Sequence, residues 1–384
     1  MRILMLDMGS YTFRDTKEAI LSIGHEVDEI YYHFADRFKD DYFIERINHI
    51  LKRNKYDALL SINFFPLLAI TAHEHSIPYI SWSYDSPLAE QLTDYFHYDT
   101  NRIFLFDRDE VNFYNSLGFS NVFHLPLAIN PNRLNKLTFT REVNLKYESE
   151  ISFVGVLHDS YLNELLFCAN DYTKGFVEGL FQAQFRLYGC NFIYNSISDE
   201  MIDSLNKTYF ELGNNITKLN KRGLSYAINA QITHEERKLL LELLAENHEV
   251  RLYSTQKQDV DSRVAQYGPV KYFTDMNAVF RNSLLNLCPT LRSISSGIPL
   301  RALDILANRA VLFSNYQPEL AEHFIDGKDV IMYSSLEEAI SKANYYISHK
   351  GLLHELAING YEKAVKHFSY SNIIPILFNG IIHQ

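Results

Sequence analysis

The segment from residue 284 to residue 320 constrains the fold more than any other part of the chain. It begins with a continuous apolar run at 284–288 (LLNLC), as a parallel strand buried on both faces requires, and this run ends at Pro289. A serine-rich loop follows, and then a short helix with Pro299 as its first residue, a position that proline favours. A second apolar strand follows at 310–315. This order of elements predicts a parallel α/β sheet.

The loop before this helix has the composition of an anion-binding turn. Ser295, Ser296 and Gly297 lead into the helix directly after a buried strand. Ligands of open α/β sheets bind at that edge, where the helix N-terminus favours an anion such as a pyrophosphate. Arg301 and Asp304 share one face of the helix and suit the phosphates and sugar hydroxyls of a nucleotide. Two simpler interpretations stay open: a βα loop common to all such proteins, and a solvated surface ion pair.

Size and composition predict a soluble protein of two or three domains. The chain has 384 residues, 47% of them hydrophobic, and a formal net charge of −11, which argues against general nucleic-acid binding. Cys168, Cys190 and Cys288 have neither metal-site spacing nor an even count, so a cytoplasmic location is expected. Asp7 interrupts the first apolar run too early for a signal peptide, and no run is long enough to be an integral membrane segment.

Residues 1–135 are predicted to form a first Rossmann-like domain. Strand patterns at 2–8 and 26–32 flank a helix at 12–24, and further strands are predicted at 58–65, 78–84, 102–107 and 121–130. A helix at 88–95 is predicted to begin with Ser86 as N-cap and Pro87 as first residue. Gly9 stands alone, so the dinucleotide fingerprint is missing and a nicotinamide cofactor is not expected.

Residues 150–369 are predicted to form a second Rossmann-like domain. Its strands are expected at 150–156, 250–254, 270–273, 284–288, 310–315 and 330–335, and a helical insertion is expected at about 160–247. A last helix at 370–382 belongs to a C-terminal segment, 370–384, that is expected to cross back to the first domain. Two such domains joined by one linker predict a binding cleft between them.

Several segments resemble one known family. The N-terminal ones are ISWSYDSP, RIFLFD and VFHLPLAIN, and the C-terminal ones are ISFVGVLHD, LRSISSGIPLRALDILANRAVLFSNYQPEL and NGYEKAVKHFSY. Together they are similar to CgeB-type bacterial spore-maturation proteins, which belong to the GT-B glycosyltransferases. The resemblance implies two Rossmann-like domains facing a cleft, a nucleotide sugar bound chiefly by the C-terminal domain, and no cofactor or metal held by an Asp-x-Asp motif.

The resemblance also implies roles for individual residues. Asp304 lies where a carboxylate of retaining GT-B enzymes grips the ribose hydroxyls, and Ser296 lies where related enzymes place the first of two glutamates. The absence of that glutamate leaves the inverting or retaining outcome open. Gly155 corresponds to the glycine loop that lets the backbone approach the diphosphate, and Tyr272 and Phe273 correspond to the position whose backbone recognises the base.

Glycosyl transfer requires stabilisation of the departing phosphate and deprotonation of the acceptor. Without a metal, the first task is assigned to Arg301, the helix at Pro299 and Arg292. Asp85, which follows a buried strand, is the candidate base, although an aspartate before Ser-Pro also commonly shapes a turn.

Three further residues are candidates for substrate contacts. Ser10 and Tyr11 follow the first strand and are assigned to the acceptor, although loop polarity alone also explains them. His158, with Asp159 beside it, is assigned to the donor sugar, the alternative being a cap for a helix that starts at Ser160.

The predicted function is transfer of a sugar from a nucleoside-diphosphate donor, expected to be a UDP-sugar, to a protein or glycan acceptor. Two alternatives use the same scaffold: a sugar-nucleotide epimerase, and a non-catalytic protein that binds glycans or nucleotide sugars. The sequence specifies neither the donor sugar nor the oligomeric state.

Overall fold

Two parallel six-stranded sheets form the framework of the protein, in a computed structural model that describes residues 1–213 and 218–379. The strands of the first sheet are β1 (Arg2–Asp7), β2 (Glu26–Tyr31), β3 (Ala58–Ile62), β4 (Tyr79–Ser83), β5 (Asn101–Leu105) and β6 (Val122–His124). Those of the second are β7 (Ser149–Val154), β8 (Val250–Tyr253), β9 (Ala265–Tyr267), β10 (Ser283–Cys288), β11 (Leu312–Asn315) and β12 (Ile331–Tyr333). The predicted parallel α/β architecture is confirmed.

Helices connect the strands. Those from the first strand to the seventh are α1 (Phe13–Ser22), α2 (Asp41–Arg53), α3 (Pro66–Glu74), α4 (Arg108–Ser116), α5 (Pro131–Asn135) and α6 (Arg141–Tyr147). Between β7 and β8 lie α7 (Leu162–Leu166), α8 (Asp171–Phe185), α9 (Ile193–Ser196), α10 (Asp199–Glu211) and α11 (Lys221–Leu244). The remainder are α12 (Asp275–Asn282), α13 (Leu300–Ala307), α14 (Pro318–His323), α15 (Leu336–Ser348), α16 (Lys350–Phe368) and α17 (Tyr370–Leu377).

The strand order places the carboxyl ends of central strands side by side. The first sheet has the order β2-β1-β3-β4-β5-β6 and the second the order β12-β11-β10-β7-β8-β9. Within the second sheet, β10 pairs in parallel with both β7 and β11. The loops that follow these three strands therefore leave the sheet at one edge, which is the usual ligand-binding edge of an open α/β sheet.

Local sequence explains these elements. All five residues of β3 and all five of β4 are buried, as strands covered by helices on both faces must be. In α2, Phe43, Ile47 and Leu51 recur at intervals of four and are buried, while the Asp40 carboxylate accepts a hydrogen bond from the Phe43 amide and caps the helix.

The chain divides into two units, each with its own core. Unit one comprises Met1–Asn135, Gly297–Leu303 and Ala364–Gln384, and unit two comprises Lys136–Ser296 and Asp304–Lys363. Residues such as Leu4, Leu59 and Tyr79 form the core of unit one, and residues such as Ile151, Leu285 and Phe313 form that of unit two.

Backbone pairing holds the C-terminal segment in unit one. The Ile129 amide donates to the Phe368 carbonyl at 2.8 Å, and the Tyr370 amide donates to the Ile129 carbonyl at 3.0 Å. Helix α17 then packs on α1. Residues 380–382 of the helix predicted at 370–382 lie outside the described residues.

The helices between β7 and β8 form a separate cluster within unit two. Leu162, Val177, Ile202 and Ile228 are among the buried residues that pack together there. The predicted insertion, about 160–247, corresponds to the stretch from the start of α7 to the end of α11.

The strand predicted at 270–273 is wrong. Strand β9 lies earlier, at Ala265–Tyr267, and residues 272–274 form a turn before α12. The strand ends before Gly268-Pro269 because proline has no N–H to donate to a ladder.

The structure also differs from the prediction of a helix at 88–95 after Ser86-Pro87. A 3-10 helix spans Glu90–Tyr95 instead, and Ser86 does not cap it. The Ser86 hydroxyl donates to the Glu110 carboxylate at 2.7 Å, and the same carboxylate accepts the Leu88 amide at 2.7 Å. Glu110 therefore accepts hydrogen bonds from the Ser86 hydroxyl and the Leu88 amide, the two groups that the sequence placed at the start of a helix.

Close packing makes Gly360 a testable position. A Cβ at Gly360, inside α16, would lie 2.5 Å from the Asp329 carbonyl oxygen and 2.8 Å from Leu306 Cδ2, whereas a Cβ at Gly179, inside α8, would meet nothing within 4 Å. We expect Gly360→Ala to lower the free energy of unfolding by about 1–3 kcal/mol through overpacking. Gly179→Ala should leave it unchanged or raise it by up to about 1 kcal/mol through helix propensity. Equal effects in denaturant titrations would contradict this packing.

Candidate functional site

Loops at the carboxyl edge of the second sheet bring several of the predicted residues together within unit two. The loop after β7 contains Gly155 and His158, and the loop after β10 contains Arg292 and Ser296. The loop after β11 leads into α14. Because β7, β10 and β11 are neighbours in the sheet, these loops line one edge.

Asp304 is a buried acid with a specific partner. It is 6% exposed, and its Oδ1 accepts a hydrogen bond of 2.9 Å from the Tyr272 hydroxyl. The structure thus joins two residues that the sequence separates by 32 positions. A solvated surface ion pair, one of the two simpler interpretations, does not describe this carboxylate.

The turn that contains Tyr272 is held by the helix that follows it, α12. The Asn277 side-chain amide donates to the Tyr272 carbonyl at 2.9 Å, and the ring of Phe273 lies edge-on to that of Tyr272 at 5.2 Å. Tyr272 therefore contributes its side chain to Asp304, while its carbonyl, which was expected to recognise a base, already accepts one hydrogen bond.

A carboxylate lies beside Ser296 although residue 296 is not acidic. The Ser296 hydroxyl donates to Glu319 Oε1 at 2.8 Å, and the Glu319 amide donates to the Ser296 carbonyl at 3.1 Å. Both residues are buried. Glu319 lies in the first turn of α14 and was not predicted as a site residue. Its sequence signal was its place after Gln317-Pro318, a typical helix start.

Two polar atoms in the same loops are buried and have no hydrogen-bond partner among the residues that the structure describes. They are the Thr290 hydroxyl, after β10, and the Gln317 side-chain carbonyl, after β11. Such atoms are rare in native proteins and call for an explanation, which is often a functional site.

The predicted donor-sugar residue His158 has an unusual backbone. Its φ is +90°, which is uncommon outside glycine and tends to occur at functional sites. Its Nε2 lies 3.1 Å from the Tyr226 hydroxyl. Burial lowers the pKa of His158. Arg237 and His234 lower it further, whereas the exposed Asp159 raises it. The imidazole is therefore neutral at pH 7.

Neither His158 nor Asp159 caps the following helix, because α7 starts at Leu162 and the residue before it, Tyr161, makes no side-chain cap. The Ser160 hydroxyl accepts the Leu162 amide at 3.3 Å. Gly155 ends the strand, where its amide donates to the Tyr253 carbonyl.

Arg292 has protein partners on every side-chain nitrogen. Its Nε donates to Glu236 at 2.6 Å, and its terminal nitrogens donate to the carbonyls of Leu187 and Phe185 at 2.8 and 3.2 Å. The guanidinium lies 3.7 Å above the ring centre of Tyr188. The side chain of Arg292 is 5% exposed and that of Glu236 1%. Arg292 was expected near a diphosphate, but these contacts make it an internal anchor of its loop.

Two tyrosines complete the environment of Glu236. The hydroxyls of Tyr188 and Tyr333 donate to Glu236 Oε1 at 3.1 and 3.3 Å. Burial raises the pKa of both tyrosines, and the charge of Glu236 adds to the effect, so both hydroxyls stay protonated donors. Glu236 is thus a buried carboxylate with three hydrogen-bond donors.

Unit one contains the candidate base, Asp85. The Asn63 side-chain Nδ2 donates to Asp85 Oδ2 at 2.7 Å, and the Asn63 side-chain Oδ1 accepts the Tyr84 amide at 2.7 Å. Partial desolvation raises the pKa of Asp85 although the residue is largely exposed, while Asn63 and Arg37 oppose that shift. A raised pKa favours proton acceptance near neutral pH.

Among the other predicted residues of unit one, Ser10 serves a local turn and Gly297 a close backbone contact. The Ser10 hydroxyl pairs with that of Thr12 at 2.9 Å, before α1, and Tyr11 is exposed. A Cβ at Gly297 would lie 2.8 Å from the Phe106 carbonyl oxygen, so a close backbone approach explains this glycine. Helix α13 begins one residue later than predicted, at Leu300, and Arg301 lies in its first turn.

A separate groove lies among the helices of the insertion. It has a volume of about 880 Å³ and runs between α7, α8 and α11. Leu166, Phe181 and Phe185 supply apolar walls, and Glu178 and Glu235 supply acids. None of the predicted site residues lines it.

Known structures share this architecture along the whole chain. Sucrose-phosphate synthase from Thermosynechococcus elongatus superposes with a TM-score of 0.58 at 10% identity, covering 98% of this chain and 97% of the other. HepE from Anabaena, in complex with UDP-glucose, gives a TM-score of 0.55 at 9% identity and covers all of both chains. A glycosyltransferase from Rickettsia africae gives 0.55 at 10% identity, covering 100% and 99%. The fold is that of the GT-B glycosyltransferases.

The GT-B assignment agrees with a sequence match in the C-terminal part. Residues 227–378 match the family model described as glycosyl transferase-like, which covers less than half of the chain. No curated protein sequence matches the chain. The predicted GT-B fold is therefore confirmed, and the C-terminal part of the chain matches a glycosyl transferase-like family model.

The described part of the chain has neither a metal-binding cluster nor a membrane-spanning helix. Residues 1–213 and 218–379 contain no group of three or more His, Cys, Asp or Glu residues placed to hold a metal ion. In the same part of the chain no helix is both long and apolar enough to cross a bilayer.

The buried ion pair gives a prediction about Arg292. Arg292→Met leaves Glu236 buried without its cation, so we expect it to lower the free energy of unfolding by about 3–5 kcal/mol. Lys238→Met, which breaks the exposed pair with Asp259 on the same helix, should cost less than about 1 kcal/mol. Denaturant titration of both variants measures the difference. A stable Arg292→Met protein with weakened nucleotide binding would instead show that Arg292 is a ligand contact.

Proposed function

We propose that this protein transfers a sugar from a nucleoside-diphosphate donor, a UDP-sugar, to a protein or glycan acceptor. The observation that supports this most is the buried Asp304 carboxylate at the ligand-binding edge of the second sheet, hydrogen-bonded to Tyr272. A buried carboxylate oriented by a tyrosine hydroxyl is a hydrogen-bond acceptor of the kind that the hydroxyls of a ribose require. Arg301, one helical turn before Asp304, is proposed to offset charge on the leaving diphosphate.

The chemistry needs a base as well as a donor site. Asp85 is proposed to take the proton of the acceptor hydroxyl, because its raised pKa keeps it a competent acceptor at neutral pH and Asn63 fixes its carboxylate. Ser10 and Tyr11 are proposed as acceptor contacts. No metal or cofactor is assigned a role, so the proposed reaction relies on fixed cations and on the N-terminus of α13.

Two finer assignments rest on sequence features. The quoted segments support a place among the CgeB-like GT-B proteins. A cytoplasmic location is proposed because Cys168, Cys190 and Cys288 are all free thiols, as is usual in a reducing compartment.

The absence of an acid at Ser296 keeps the two alternative functions relevant. Glu319 supplies a carboxylate at that place from another element, which favours a catalytic site over a scaffold that only binds. An epimerase or hydrolase would convert the donor without an acceptor, so product analysis with donor alone separates that activity from transfer.

A thermal-shift panel of nucleotide sugars tests the donor site. A ligand that binds only the folded state raises the melting temperature, by linkage. We expect UDP-sugars to stabilise the wild type and Asp304→Asn to lose most of this shift, because an amide cannot accept two ribose hydroxyls as a carboxylate does. The matched control is Asp203→Asn, an exposed acid of α10, which should respond like the wild type. Equal shifts for Asp304→Asn and the wild type would remove Asp304 from the site.

A further inference from the structure

One face of α11 contacts and fixes the two loops that follow β7 and β10. The Thr233 hydroxyl accepts the Arg292 amide at 3.0 Å, and Glu236 binds the Arg292 side chain. His234 Nδ1 lies 2.9 Å from the His158 carbonyl oxygen. Residues three and four apart on a helix share a face, so Thr233, Glu236 and Arg237 act from the same side. The insertion therefore shapes the edge of the sheet that the proposed function assigns to the donor.

Arg237 is the residue of this face that ties both loops at once. Its Nε and one terminal nitrogen donate to the Pro289 carbonyl at 3.1 and 2.7 Å, and its other terminal nitrogen donates to the Val156 carbonyl at 2.8 Å. Its guanidinium also lies 5.4 Å from the ring centre of Phe153. The planar fork suits this double attachment, which a lysine cannot reproduce.

The charge of Arg237 has no carboxylate partner. Among residues 1–213 and 218–379 no acid lies within ion-pairing distance of it, and the adjacent Glu236 is committed to Arg292. Burial lowers the pKa of Arg237, but an arginine side chain remains charged at neutral pH. His158, beside it, is held neutral. Arg292, Glu236 and Arg237 together therefore carry one net positive charge at the carboxyl edge of the sheet.

Arg237 is partly buried. A cation withdrawn from water without an ion-pairing partner is costly, and an anion bound nearby offsets that cost. The residues that contact Arg237 indicate which class of anion binds there. Pro289 directly follows β10, and Val156 lies two residues after the end of the adjacent strand β7, so the charge lies where the backbone of both loops leaves the sheet. That is the position at which open α/β sheets bind the phosphates of nucleotides.

We propose that Arg237 is a binding and positioning residue for the donor diphosphate: it fixes the loops after β7 and β10 and supplies the positive charge that attracts the phosphates. This inference rests on the proposed function and adds a residue that the sequence motifs do not indicate. It predicts a contribution specific to the diphosphate, separate from that of Asp304 to the ribose.

Calorimetric titration with UDP and with uridine tests the proposal, because only UDP has the phosphates. Arg237→Gln keeps an amide donor for the carbonyls and removes the charge. We expect it to weaken UDP binding by at least about tenfold, the effect of one charge-assisted contact, and to change uridine binding by less than about twofold. Arg237→Lys keeps the charge and should retain the preference for UDP. The matched control is Lys238→Met, which removes the same charge from the next residue and should leave both affinities unchanged.

Four results would overturn the inference: unchanged UDP binding in Arg237→Gln, equal losses for UDP and uridine in that variant, an equal loss of UDP binding in Lys238→Met, or loss of the UDP preference in Arg237→Lys. The last remains decisive if Arg237→Gln does not fold. If the wild type binds UDP through Asp304 and Arg237→Gln binds it equally well, only this inference is wrong. A wild type that binds no nucleoside diphosphate contradicts the proposed function itself.

Discussion

The buried pairing of Arg292 with Glu236 is the interaction on which the ligand-binding edge of unit two depends. Neither charge is stable in the interior alone, and each is satisfied by the other together with the carbonyls and tyrosine hydroxyls around them. The pair fixes the loop after β10 to α11. The insertion therefore positions the loop after β10 within unit two.

Two kinds of polar group meet at this edge. Asp304 and Glu319 are buried carboxylates that accept hydrogen bonds from the Tyr272 and Ser296 hydroxyls, and acids of this kind suit the hydroxyl groups of a ribose or a sugar. Arg237 is a cation that donates hydrogen bonds to the backbone carbonyls of Pro289 and Val156, and a cation suits an anion. Acids suited to hydroxyls beside a cation suited to an anion are the pattern on which the proposed nucleoside-diphosphate site rests.

The fold was largely predictable because its signals are local. Continuous apolar runs indicated the buried strands, and the helix of Asp304 was placed within one residue. The partners of Arg292 were not predictable, since Glu236 lies 56 residues away and is brought near only by tertiary packing. Arg237 and Glu319 were not predicted because their sequence surroundings are ordinary. The THEERK run has the composition of a solvated helix face, and Glu319 is a typical first-turn acid. Strand β9 was misplaced because VKYF has strand composition but follows Gly268-Pro269.

Hydrogen exchange of the full-length protein with and without saturating UDP tests the central claim most directly, because it locates binding without any mutation. We predict slower amide exchange in the loops at 155–159 and 289–296 and around Asp304, with little change in the groove between α8 and α11. Protection confined to that groove or to other parts of the chain would contradict the assignment of this edge as the nucleotide site.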